Sequence, residues 1–187
     1  MADICYKNGM VEINPEFVDV FKNAKAPFAI MGVGLPGIGK TKQLQGLAKD
    51  LNVGFANLPI AHREFEYLEI NYRRALSPKE LINLMVRRAI KDSGSVVIDA
   101  HHSTEIFRRS TQAAARRRGA QAVAVISFDA SLDYALQRQD AGFTSADARK
   151  IEVVNFNLGR EPVGYHEGFD LILDHGIPDG PSVIRAI

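Results

Sequence analysis

The stretch FAIMGVGLPGIGKT, residues 28–41, decides how this chain folds. Its first half is an apolar run with the length of a buried strand, and its second half fits the pattern G-x-x-x-x-G-K-[ST] from Gly34 to Thr41. Glycine is needed at Gly34, Gly37 and Gly39 because the backbone must turn tightly with its N–H groups pointing inward, making a concave site for phosphate oxygens. Leu35, Pro36 and Ile38 complete the loop. Lys40 is placed to reach a nucleotide's outer phosphates and Thr41 to offer its hydroxyl to Mg²⁺. The helix that starts here adds its positive N-terminal end. Strand, phosphate loop and helix are therefore expected in succession, with ATP and Mg²⁺ as ligands.

Downstream, KTKQLQGLAKDL spaces Leu44, Leu47, Ala48 and Leu51 at helical intervals. VGFANLPI, residues 53–60, reads as a second strand whose C-terminal end, in an open parallel sheet, faces the ligand crevice. AHREFEYLEINYRRA alternates its charges without a clean apolar stripe and is expected to be a mobile, substrate-facing element. SPKE, residues 77–80, is a capping box with Pro78 at the first helical position, and it opens a helix through Leu81, Leu84, Met85 and Ile90. SVVIDA is a buried strand finishing at Asp99. A capped helix follows in HHSTEIFRRSTQAAARRRGA, stopped by Gly119. AVAVISF is a strand running to Asp129, Ser131 caps a helix through Leu132, Ala135 and Leu136, and residues 145–157 form another after Gly142. FDLILDH, from Phe169, is a last short strand before a Gly/Pro-rich tail. Upstream, Asn14 and Pro15 open a short helix carrying Phe17, Val18, Val20 and Phe21.

The alternation of β and α elements predicts an α/β fold of the P-loop NTPase type, a parallel sheet with helices on both faces. At 187 residues the chain is expected to be one domain: an N-terminal extension (1–27), a core (28–174) and a tail (175–187). No apolar run approaches the roughly 18 residues of a membrane span, and the first residues carry no secretion signal, so a cytoplasmic location is expected. The single Cys5 cannot form an internal disulfide and has no nearby His or Cys partner for a metal.

The net charge of +1 conceals an uneven distribution. Residues 60–120 hold twelve Lys or Arg against seven Asp or Glu, and the remainder eleven against fifteen. The central excess includes Arg73, Arg74, Arg87, Arg88, Arg108, Arg109 and Arg116–Arg118. These read either as a polyanion-binding surface or as solvated helix faces.

Asp99 is the second chemical candidate. An acid ending an apolar strand stands at the C-terminal edge of the sheet, where it can face Mg²⁺ or an attacking hydroxyl, or simply cap the next segment. His101 and His102 are adjacent, so their side chains diverge; substrate contact or surface exposure fits them better than zinc. Arg138 ends a predicted helix before the Gly142 loop, where a lid arginine would stabilise charge on a transferring phosphoryl group; a solvated helix end is the other reading. Arg149, Lys150 and Arg160 are weaker candidates in the same region.

GLPGIGKT after a strand, then VVIDAHHSTEIFRRSTQAAARRRGAQAVAVISFDASLDYALQRQ, then REPVGYHEGFDLIL together resemble the small P-loop kinases typified by phage polynucleotide kinase, over about residues 28–174. The resemblance implies transfer of the γ-phosphate of ATP to a nucleic-acid hydroxyl, with Asp99 in the acceptor region and Arg138 as the lid arginine. That family carries a catalytic Asp after the second strand and, three residues later, an Arg that holds the substrate phosphate. Counted without gaps, the Arg falls on Arg63, but the Asp falls on Ile60. His62, Glu64 and Asp99 are the substitutes within reach, Asp99 first because a strand end fixes it best. Related phage kinases phosphorylate 5-hydroxymethyluracil in DNA, an acceptor that a changed loop would suit. In a phage that location would be the host cytoplasm.

The leading expectation is thus an ATP- and Mg²⁺-dependent kinase acting on nucleic acid, DNA before RNA, at a hydroxymethylated base or a 5′-hydroxyl. No membrane and no obligate protein partner are expected. A small-metabolite or nucleoside kinase is the alternative, and a nucleotide-binding protein without transferase activity the third reading.

Overall fold

The structure is a computed structural model that describes residues 6–7, 10–11, 13–25, 27–72, 76–100, 102–140, 146–177 and 182–186. A two-stranded antiparallel pair, β1 (Tyr6–Lys7) and β2 (Met10–Val11), precedes helix α1 (Pro15–Lys22). Asn14 caps α1 as its sequence suggested, its side-chain oxygen accepting from the Glu16 N–H at 2.8 Å. Then come β3 (Phe28–Val33), α2 (Lys40–Asp50), β4 (Gly54–Asn57), α3 (Leu58–Tyr72), α4 (Pro78–Ser93), β5 (Val96–Asp99), α5 (Glu105–Arg117), β6 (Ala122–Ala130), α6 (Leu132–Asp140) and α7 (Ala146–Leu158). A 3₁₀ turn (Tyr165–Glu167), β7 (Leu171–Ile177) and β8 (Ser182–Ala186) complete the described chain.

The main sheet has the order β4-β5-β3-β6-β7-β8. Its first five strands are parallel, and β8 runs antiparallel to β7 at the edge. Every residue of β3 is buried, as the continuous apolar run requires of a central parallel strand covered on both faces. One face carries Ala29, Met31, Val96, Ile98, Val123 and Val125 against α3, α4 and α5. The other carries Ile30, Val97, Ala124, Ile126 and Phe128 against α1, α2, α6 and α7. From β3 the chain proceeds to β4 and β5 on one side, and later to β6 and β7 on the other. The carboxyl end of β3 is therefore the switch point at which connections diverge and a crevice opens.

Two expectations are corrected. The second strand stops at Asn57, because Asn57 acts as a helix cap: its Oδ1 accepts the Ile60 N–H at 2.9 Å, so LPI begins α3 instead of ending β4. The adjoining segment continues that helix to Tyr72, with Ala61 and Phe65 buried against the core. Tertiary burial of these side chains outweighs the weak amphipathic pattern. The tail supplies an edge strand, β8, pinned to β7 by the Arg185–Asp174 ion pair at 2.6 Å. The amino end of α4 matches the sequence, with the reciprocal Ser77–Glu80 capping box in place.

Candidate active site

The loop between β3 and α2 is shaped by its glycines. Gly37 and Gly39 have φ of 80° and 96°, conformations that side chains rarely adopt. Gly34 lies so close to β6 that a Cβ would fall 2.7 Å from the Phe128 carbonyl oxygen and 2.8 Å from Phe128 Cβ. Gly34→Ala is accordingly expected to destabilise the fold by about 1–3 kcal/mol through overpacking, seen as a lower urea midpoint with an unchanged slope. Leu35 and Ile38 are buried, anchoring the loop in the core, while Pro36 and Gly37 are more open.

Lys40, the first residue of α2, folds back so that its ammonium donates to the Leu35 carbonyl at 2.9 Å. Burial pulls its pKa below the usual lysine value; Asp99 opposes this, Arg160 adds to it and Glu152 opposes it. The next side chain, Thr41, donates its hydroxyl to Asp99 Oδ2 at 2.6 Å. β3 and β5 are parallel neighbours with Gly32 opposite Asp99, and this register sets the β5 carboxylate beside the first turn of α2. A hydroxyl and a carboxylate oxygen are hard donors that suit Mg²⁺, which is commonly held by one or two carboxylates and by substrate phosphates. Among the described residues no group of three or more His, Cys, Asp or Glu could hold a metal. The pair Thr41 and Asp99 thus fits a cation shared with phosphate oxygens, and does not form an all-protein cage.

The other candidates separate. His62 and Arg63 are exposed on the first turns of α3. Glu64 forms an ion pair with Arg88 of α4 at 2.9 Å and lines a groove with Asn52, Gly54 and Asp92, by the amino end of β4. It belongs to the opposite end of the sheet from the phosphate loop. Ile60, where an acid was sought, packs against the core. His101 lies outside the described residues. His102 corrects the surface reading: it is fully buried, with Nδ1 3.2 Å from the Gly32 carbonyl oxygen and its ring 5.1 Å from that of Phe107. Arg138 is exposed; its guanidinium donates to the Tyr134 hydroxyl at 3.1 Å and lies 5.8 Å from the ring centroid. Arg160, ranked below it from sequence, is among the charges that act on the Lys40 pKa, after burial and Asp99. The Gly142 loop and the Arg149 side chain, like Cys5, Arg73 and Arg74, lie outside what is described.

Four of the central arginines are engaged within the chain. Arg88 pairs with Glu64, Arg109 with Glu105 at 2.6 Å, and Arg116 with Asp170 at 2.8 Å. Arg108 is wholly buried and bound to Glu167. Arg116 to Arg118 end α5, at the edge of the sheet remote from the phosphate loop. Arg87, Arg117 and Arg118 are exposed.

Two residues near the site were not singled out from sequence. Asn57 is buried at the end of β4, in register with Asp99. His175 of β7 reaches under α2, with Nε2 3.0 Å from Gln43 Oε1 and an edge-on contact to Phe128 at 5.4 Å between ring centroids. Burial pushes its pKa down to about 4. The unfolded chain therefore takes up a proton between pH 6.5 and about 4 that the folded chain does not. This part of the stability is full above pH 6.5 and is lost as the pH falls toward 4. Urea midpoints measured at pH 7 and pH 5 are expected to differ less in His175→Gln than in the wild type.

No protein-family model matches the sequence, and no curated protein does. Solved structures do match. A gluconokinase from Sinorhizobium meliloti 1021 has a TM-score of 0.53 at 15% identity, covering 81% of this chain and 84% of that one. A sugar kinase from Janibacter sp. HTCC2649 also has a TM-score of 0.53, at 18% identity, covering 79% and 85%. A structure of the PezAT chromosomal toxin-antitoxin system of Streptococcus pneumoniae has a TM-score of 0.51 at 13% identity, covering 86% and 73%. At such identities the likeness establishes the fold: a mostly parallel six-stranded α/β sheet of the P-loop kinase type. Among the described residues no helix is long and apolar enough to cross a membrane.

Proposed function

We propose that this chain is an ATP-dependent kinase that transfers the γ-phosphate to an alcohol group of a small molecule. The observation that carries this reading is the 2.6 Å contact between Thr41 and Asp99 beside Lys40, which joins a phosphate-loop hydroxyl to a strand-end carboxylate at the switch point of the sheet. The loop N–H groups, the amino end of α2 and Lys40 bind and orient the polyphosphate. Thr41 and Asp99 would hold Mg²⁺, which when bound offsets negative charge on the phosphate oxygens. Arg138 is a candidate for the charge that develops during transfer. For the acceptor proton, Asp99 stays the first candidate and His62 the second, while Glu64 is turned to Arg88.

A small acceptor is favoured over nucleic acid for two reasons. Four of the nine arginines that suggested a polyanion, Arg88, Arg108, Arg109 and Arg116, are held in ion pairs within the chain, and proteins sharing the fold include a gluconokinase and a sugar kinase. A nucleic-acid hydroxyl remains the second reading, resting on the exposed Arg87, Arg117 and Arg118. The test offers γ-labelled ATP with a panel of sugars, sugar acids and nucleosides, alongside 5′-hydroxyl oligonucleotides and 5-hydroxymethyluracil DNA. Label is expected in a small alcohol, with an acceptor KM that changes little with salt. Label in DNA, with an apparent affinity falling about 1,000-fold or more between 50 and 200 mM salt, would overturn the small-acceptor reading.

A further inference from the structure

Asn57 ends β4 with only 8% of its surface exposed. A polar side chain buried that far needs partners for its oxygen and for its two N–H donors. The oxygen has one: Oδ1 accepts the Ile60 N–H at 2.9 Å and so caps α3. A backbone N–H can only donate, so this bond also fixes which end of the amide is oxygen and which is nitrogen. Nδ2 therefore lies on the side away from the Ile60 N–H, and among the described residues it donates to none.

Strand register decides where these donors stand. Asn57 lies opposite Asp99 across the parallel β4–β5 pair, on strands about 4.8 Å apart. Side chains alternate along a strand: Phe55 and Val97 pack on the α2 face of the sheet and Ala56 and Ile98 on the other, so Asn57 and Asp99 both return to the α2 face. On that face the Thr41 hydroxyl takes Asp99 Oδ2, and among the described residues Asp99 Oδ1 takes no hydrogen bond. An amide nitrogen that can only donate and a carboxylate oxygen that can only accept thus stand side by side at the carboxyl edge of the sheet, next to the phosphate loop. The positive amino end of α3 begins at the same place.

We propose that Asn57 and Asp99 together bind the acceptor, and that this acceptor is a vicinal diol, with a second hydroxyl on the carbon next to the reacting one. The reacting hydroxyl donates to Asp99 Oδ1, and the neighbouring oxygen accepts from Asn57 Nδ2. This rests on the kinase reading above and narrows its small alcohol to a polyol. An ammonium group at the neighbouring carbon is refused, because it has no lone pair for the amide and meets the positive end of α3. A bare methylene there is disfavoured for another reason: it takes water away from the amide donors and supplies no bond in return.

The test uses three acceptors that differ at one carbon: glycerol, 1,3-propanediol and serinol, which carry there a hydroxyl, a hydrogen and an ammonium group. Transfer from γ-labelled ATP by the full chain is expected to favour glycerol over 1,3-propanediol about 10-fold or more in kcat/KM, with serinol the poorest. Asn57→Ser keeps an oxygen that can cap α3 but loses the amide. Its thermal midpoint is expected close to wild type and its KM for Mg²⁺-ATP within about two-fold, while the preference for glycerol falls to about two-fold or less. Asn57→Asp also keeps the cap but replaces the donors with an anion, so serinol is expected to gain about 10-fold relative to glycerol. Should one variant lack a cooperative thermal transition, the other carries the comparison. Were Asn57 a cap alone, both variants would keep the wild-type preference, and that result would overturn the proposal. Equal use of glycerol and 1,3-propanediol by the wild type, or no label in glycerol from a protein that labels another alcohol, would overturn it alone. Wild-type protein that labels no alcohol, or binds no Mg²⁺-ATP in calorimetry, would overturn the kinase reading with it.

Discussion

Lys40→Ala is expected to lower phosphate transfer by at least about 1,000-fold, because it removes a preorganised cation where negative charge is concentrated. The ammonium starts 2.9 Å from the Leu35 carbonyl within the loop it serves, so little movement is needed to meet a phosphate held by the same loop. The fold should survive. Burial already disfavours the charged form of Lys40, so folding at neutral pH proceeds against that cost and the alanine variant escapes it. Its thermal midpoint is expected within a few degrees of wild type, with an unchanged far-ultraviolet spectrum. Full transfer activity in a folded Lys40→Ala protein would exclude the phosphate loop as the reacting site.

Asp99→Asn is expected to cost at least about 100-fold in transfer, and the pattern of the loss separates two roles for this carboxylate. The amide oxygen can still accept the Thr41 hydroxyl, so the 2.6 Å contact and the packing of β5 are kept while the charge is lost. If Asp99 holds Mg²⁺, the variant needs far more Mg²⁺ for half-maximal rate, and raised metal restores part of the activity. If it removes the acceptor proton, added metal restores nothing and the rate instead loses its dependence on that group's ionisation. A loss of only a few-fold, with unchanged metal dependence, would shift the base role to His62 on the exposed turn of α3.

Both predictions concern residues that the sequence places well, for reasons that are local. FAIMGV must be a buried strand, the glycine spacing permits only a tight loop, and the leucines after Lys40 can form only an amphipathic helix. Strand, loop and helix therefore follow from contiguous residues. Asp99 was legible for the same reason, as the acid ending an apolar run. The Ser77–Glu80 and Asn14 caps are local too.

Non-local pairings were less legible. Arg88, Arg109 and Arg116 looked like a basic surface because their partners lie 24, 4 and 54 residues away, and only the i,i+4 pair follows from helix geometry. Glu64 seemed near the site by counting from the loop, yet the turn of α3 toward α4 sends it to the other end of the sheet. Arg108 did leave a signal, a charge on a buried helical stripe, but its partner Glu167 is 59 residues on. Nothing between them announces the pairing.

By itself the sequence determined the α/β class, the phosphate loop and the two side chains, Lys40 and Thr41, that follow it, because each depends on the conformational needs of adjacent residues. The tertiary structure decided which distant groups share that loop's surroundings. Parallel register between β3 and β5 brought Asp99 to Thr41, and the buried Arg108–Glu167 pair joined the loop after β5 to the segment after α7. Those choices turn on how separate segments pack, and segment packing is set by burial and long-range hydrogen bonds that no single stretch of sequence contains.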